Sequence, residues 1–265
     1  MPPDPGTLLT RWNLDPVLIS GLVAVGCLYI AGTRYLARTG SAPGRAGQIS
    51  FHLGWGITAA ALISPLCPLS VSLFAARCGQ EMILALLAAP LVIVGRPFTV
   101  IGALLGRHYR NYKPQGALFS PLIAAVTYAV VLWFWHAPAP YVATFASTTV
   151  YWLMHVTMFG AALWLWAGLL DRAPAHIVPV IGAGIFSSVQ MGFLGAVIVF
   201  APRPLYTVYD FTTRAWGLTQ LQDQQLGGAI MWVPGCIVFF AVSMVILWLV
   251  FERMEAAEPG RSAAS

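Results

Sequence analysis

The chain has 265 residues, 58% of them hydrophobic and 9% charged, with a mean hydropathy of +0.76. A water-soluble domain carries about 25% charged residues, so this composition excludes one and points to an integral membrane protein. The net charge of +5 does not mark a nucleic-acid binder, because the arginines sit in short connectors between apolar runs, where topology signals lie.

The first stretch, MPPDPGTLLTRWNLDP, holds Asp4 and Asp15 and has no basic leader. It reads as an outer segment (1–16) before a retained helix, not as a cleaved signal peptide. A bilayer core needs about 20 apolar residues per helix. Seven such runs follow, at 17–36, 51–66, 71–94, 118–135, 150–170, 177–200 and 226–251. Their hydrophobicity is continuous, not alternating, so helices are expected and strands are not. The expected fold class is all-α: a polytopic membrane bundle of seven transmembrane helices over 17–251, then a tail at 252–265.

The connectors set an orientation. The odd-numbered ones and the tail hold ten basic residues: Arg34, Arg38, Arg45, Arg96, Arg107, Arg110, Lys113, Arg172, Arg253 and Arg261. The N-terminal segment and the even connectors hold three, Arg11, Arg203 and Arg214. The positive-inside rule places the N-terminus outside and the C-terminus in the cytoplasm. Trp133, Trp135 and Trp152 then fall at one interface, where amphipathic rings are favoured. Gly182, Gly184, Gly227, Gly228 and Gly235 predict close helix contacts. Cys27, Cys67, Cys78 and Cys236 form no C-x-x-C pair and read as small buried hydrophobes.

Within this apolar background a few polar groups share the outer half. Polar side chains in hydrocarbon are costly, so a co-located set marks a site. Arg77 and Glu81 are four apart and can pair on one helix face; a packing lock explains them as well as a functional role does. Cys78 and Met82 share the adjacent face, and His155 and Met158 are neighbours at i and i+3. Thiol, thioether and imidazole suit copper(I), although core packing accounts for any single sulfur. His155 reads equally as a satisfied core histidine bonded to a carbonyl or to Thr157. His136 ends the fourth helix, where it also complements the helix dipole. Asp223, Gln224 and Gln225 open the seventh; the aspartate suits an N-cap, and the amides could hold a loop or a substrate. His52, His108 and His176 fall toward the cytoplasmic side. No P-loop, G-x-S-x-G or H-E-x-x-H motif is present.

Four stretches carry a resemblance: LISPLCPLSVSLFAARCGQEMILALLAAPLVIVGRP, WHAPAPY, FAPRPLY and LQDQQLGGAIMWVPG. Together they resemble the bacterial seven-helix cytochrome c oxidase assembly factors called CtaG. The resemblance implies a non-enzymatic protein of the bacterial inner (plasma) membrane. It would mature a heme–copper oxidase, with oxidase subunits as partners and copper as its cargo or cofactor. The matching residues are Gln80, His136, Pro138, Tyr141, His155, Asp223, Gln224, Gln225, Met231 and Trp232. One departure stands out. The family pattern S-x-H-M-x-Q-H meets A-A-R-C-G-Q-E here, so Arg77 and Glu81 stand where histidines are expected. Arginine stays protonated and cannot ligate a metal.

The expected copper ligands are therefore Cys78, Met82, His136, His155 and Met231. Arg77, Gln80, Glu81, Asp223, Gln224, Gln225 and Trp232 form the expected polar or partner-binding group. One alternative is a metal-free scaffold of the same fold, with Arg77 and Glu81 as a lock. A heme-binding redox protein would need His136 and His155 to face each other. A transporter would be expected to show broken-helix repeats, and none is legible.

Overall fold

The computed structural model describes residues 3–106, 120–170 and 177–256. The described residues are helical, with no strand among them. In chain order the helices are α1 (Pro16–Ala37), α2 (Arg45–Ile63), α3 (Leu66–Ser72), α4 (Phe74–Val94), α5 (Pro97–Gly102), α6 (Pro121–His136), α7 (Pro138–Ala146), α8 (Thr148–Leu169), α9 (Ile177–Val199) and α10 (Gln220–Ala256). Five of them are long and apolar enough to cross a membrane. The number rises to seven if α2 with α3, bent by 47°, and α6 with α7, bent by 68°, each count as one span.

Prolines explain both bends. Proline disfavours a right-handed helical conformation in the residue before it and lacks an N–H. Ser64, before Pro65, and Ala137, before Pro138, are both extended. Pro138 then starts α7 at its first turn, where its missing N–H costs nothing. The expected 51–66 run corresponds to α2, which starts six residues earlier and stops at Ile63; the apolar count had carried the helix through the break. The stretch around Pro138, expected as a connector, is helical. The seventh run also starts six residues early, at Gln220, because the polar residues ahead of it are helical too.

Proline also shapes α4. Residues Ile83–Ala88 take a π-helical register, in which the Ala89 N–H donates to the Leu84 carbonyl. The next carbonyl in that register, Ala85, would need the N–H that Pro90 lacks. The Trp166 indole supplies it instead, at 2.7 Å. Such π turns mark places where a helix is locally re-aimed. At the other end of α4, Arg96 adopts a left-handed conformation (φ 56°) ahead of Pro97.

α9 and α10 pack backbone to backbone. A Cβ on Gly195 would lie 2.9 Å from the Gly228 carbonyl, and one on Gly228 would lie 3.0 Å from the Gly195 carbonyl. Small residues thus serve here as helix-packing contacts in place of a hydrophobic drive that lipid does not supply. Trp135 departs from the expected interfacial role. It is buried and donates to Thr157 at 2.8 Å, which places it in the packing. Cys67 and Cys78 are buried as expected, whereas Cys27 is exposed. Arg107, His108, Arg110, Lys113, Arg172, His176 and Arg261 lie outside the described residues, as do 118–119 of the fourth run and 257–265 of the tail. His52 is exposed on α2.

Candidate functional site

The polar groups gather at one end of the bundle, where α4, α8 and α10 begin and α2 and α6 finish. α4 begins after Leu73, whose side chain has no oxygen to cap the free N–H groups of its first turn. Asp223 of α10 does this from across the interface. Its carboxylate accepts from the Phe74 N–H at 2.7 Å and the Ala75 N–H at 3.1 Å, and it is 0% exposed. The sequence reading had Asp223 capping its own helix. It lies inside the first turn of α10 and caps α4 instead.

One turn into α4, Arg77 is 2% exposed. Its Nη2 donates to Thr144 Oγ1 at 2.8 Å and to Met154 Sδ at 3.1 Å. The guanidinium lies 4.7 Å from the Tyr141 ring centre, 5.0 Å from Phe145 and 5.6 Å from Tyr151. Ring quadrupoles attract a cation at such distances, more strongly where water is excluded. The Glu81 carboxylate is 3.9 Å from Nε, so the expected ion pair forms, but as a long one. One cation therefore ties α4 to α7 and α8. Thr144, Phe145 and Met154 were not among the expected polar or ligand positions. Nothing in their spacing distinguishes them from core residues.

Glu81 also approaches His136, with Oε2 3.6 Å from Nε2. Each histidine places its Nδ1 near the carbonyl four residues earlier: His136 at 2.8 Å from Leu132 and His155 at 3.1 Å from Tyr151. A carbonyl only accepts, so Nδ1 donates and Nε2 is left as the free ring nitrogen. His155 Nε2 is buried without a partner, as is Glu81 Oε2. Between them is a cavity of about 10 Å³, also lined by Met154 and Met158, with room for about one water.

The other expected residues are placed as follows. Cys78, Met82 and Met231 are buried in the main core and do not line this cavity. Gln80 donates to the Ala61 carbonyl at 2.7 Å, holding α4 to α2, and its Oε1 has no partner. Gln224 accepts from the Leu205 N–H at 2.6 Å and donates to the Ile198 carbonyl at 3.1 Å, fixing the connector between α9 and α10. Gln225 is exposed and turns away from this group. Trp232 is half-buried against Gly195 and Phe200. Among the described residues no three His, Cys, Asp or Glu side chains are grouped so as to hold a metal ion.

The 200–219 connector covers this end. Tyr206 donates to the His136 carbonyl at 2.8 Å, and Thr212 to the Ser72 carbonyl at 2.7 Å. Tyr209 donates to the Ser70 carbonyl at 3.1 Å, so in its 2.7 Å contact with Tyr141 the donor is Tyr141. Burial pushes the Tyr206 and Tyr209 hydroxyls above the usual tyrosine range, which keeps both as donors. Tyr206 sits in the FAPRPLY stretch, the one sequence signal for this cover. The N-terminal segment is tied down as well: the Asn13 N–H donates to the Ile63 carbonyl at 2.9 Å, and Ser72 donates to the Pro3 carbonyl at 2.9 Å.

Fold and site together define an all-helical protein with several membrane-length helices and a closed polar core at one end. The chain belongs to the cytochrome c oxidase caa3 assembly factor family (Caa3_CtaG), whose model matches residues 27–253. The search of curated proteins and the search of solved structures return no match. The family's role is assembly of an oxidase, which suggests a non-catalytic protein.

Proposed function

We propose that the chain is a non-enzymatic scaffold that holds subunits of a heme–copper oxidase during assembly. It spans the bacterial plasma membrane seven times, with 1–16 outside, the bundle over 17–251, and 252–265 in the cytoplasm. The polar end then faces outward, the side favoured by the connector charges. The observation that carries the scaffold reading is the buried Arg77. A permanent cation already fills the space among Glu81, Thr144, Met154 and three aromatic rings. It locks the helices under the 200–219 connector, on which Phe211 is 86% exposed. An exposed aromatic on a rigid support suits a partner contact. The test is caa3-type oxidase activity in a strain lacking the chain. Restored activity with the native chain, and at least a several-fold loss with Phe211→Ala at equal protein level, is expected. Full activity in the deletion strain overturns the assembly role.

A second reading keeps copper handling at Cys78, Met82, His136, His155 and Met231. The free Nε2 of His155 beside Met158 and Glu81 favours it in part. Cys78, Met82 and Met231 fit less well, because they do not line the cavity that His155 lines. Copper content after copper(I) loading decides. A bound copper that is lost in Cys78→Ala/His155→Ala supports this reading, and a native protein that retains none removes it.

A further inference from the structure

Two buried acceptors without donors meet at the small cavity between α4 and α8. His155 is 5% exposed and Glu81 6%, and both line this space of about 10 Å³. The His155 Nδ1 proton is committed to the Tyr151 carbonyl at 3.1 Å, so Nε2 offers a lone pair. Glu81 Oε2 offers another, and neither atom has a hydrogen-bond partner. His136 does not serve Oε2. Its Nε2 is 3.6 Å away, beyond hydrogen-bond length, and its own ring proton goes to the Leu132 carbonyl. Met154 and Met158 add thioethers to the wall, which also only accept, and the rest of the lining is apolar.

Acceptors buried with nothing to accept from are costly, so the fitting occupant is one that donates to both. The volume suits a single water and nothing much larger. A small cation would also satisfy lone pairs, but a positive charge already stands at two walls of the cavity. Arg77 Nη2 donates to Met154 Sδ at 3.1 Å, and Arg77 Nε lies 3.9 Å from Glu81 Oε1. A second cation would face the guanidinium where water is excluded and like charges repel strongly. A neutral molecule with two donors escapes that repulsion. We propose that this cavity is the binding site of one water, which donates one hydrogen to His155 Nε2 and the other to Glu81 Oε2. The water thereby joins α8 to α4 beside the Arg77 cage. This occupant competes with copper for His155 and is independent of the assembly role.

The experiment is solid-state NMR of the full chain in lipid bilayers, with isotope-labelled histidine. The His155 signals are assigned by their loss in His155→Phe. In the native chain Nδ1 is expected to carry a bonded proton, and Nε2 to carry none but to correlate through space with a water proton. Arg77→Met/Glu81→Met removes the second anchor without leaving a lone charge, and the water correlation is expected to be lost while Nδ1 keeps its proton. Silver(I), a soft cation, is expected to leave the His155 nitrogen shifts unchanged. A proton bonded to Nε2 overturns the proposal, because that atom is then a donor. An unprotonated Nε2 with no water correlation overturns it by showing a dry cavity. A correlation that survives the double variant removes Glu81 as the second anchor and overturns it as well. A silver(I) shift of Nε2 overturns it by making the cavity a cation site.

Discussion

Arg77 shows how one residue can organise the interior of a bundle of apolar helices. A buried guanidinium is costly alone, and here its charge faces Glu81 and three rings and its Nη2 donates to Thr144 and Met154, while Nε has no hydrogen-bond partner. Removing only the cation leaves Glu81 buried and uncompensated. Arg77→Met should therefore cost about 3–5 kcal/mol, and Arg77→Met/Glu81→Met should recover most of that loss. Unfolding in mixed micelles over a range of SDS checks the pair. Equal losses in the single and double variants would show that the charges are not coupled. The i and i+4 spacing of Arg77 and Glu81 was legible in the sequence, because it depends on one helix. Thr144 and Met154 were not, because a threonine and a methionine in apolar helices carry no mark of the cation they serve.

At the scale of elements, helix termini are completed by neighbours. α4 starts with no capping side chain of its own, and Asp223 of α10 accepts from its first two N–H groups. Asp223→Ala should cost about 2–3 kcal/mol, and Asp223→Asn less, because the amide oxygen still accepts one bond. The same SDS titration reads the order of the three proteins; a neutral alanine variant would contradict the cap. The π turn of α4 follows the same logic, with the Trp166 indole replacing the N–H that Pro90 lacks. Close approach of α9 and α10 depends on Gly195 and Gly228. Gly228→Leu should force the helices apart and lower the thermal midpoint of the detergent-solubilised protein by several degrees.

For the whole molecule, orientation is the open physical quantity. Unpaired basic residues resist translocation, so in the orientation proposed above the charged connectors stay in the cytoplasm. A single cysteine at Arg11, in a chain with its native cysteines replaced, should react with a membrane-impermeant maleimide on intact cells. One at Arg96 should react only after lysis. The reverse pattern would invert the bundle and remove the polar end from the outer face. The helical class and the approximate positions of the apolar helices were readable because hydrocarbon imposes a long apolar run on any crossing segment. The bent pairs, α2 with α3 and α6 with α7, blurred that reading, since an apolar run does not reveal where the backbone turns.

By itself the sequence determined that this protein is helical, carries apolar runs of membrane-spanning length and resembles the CtaG oxidase assembly factors. Each of those properties is written in local composition or in short contiguous motifs. The tertiary structure decided what the polar residues do. Asp223 caps a helix far away in the chain, Arg77 is caged by α7 and α8, and Gln225 faces out although Gln224 faces in. Those outcomes depend on the crossing and rotation of packed helices, which no single segment encodes.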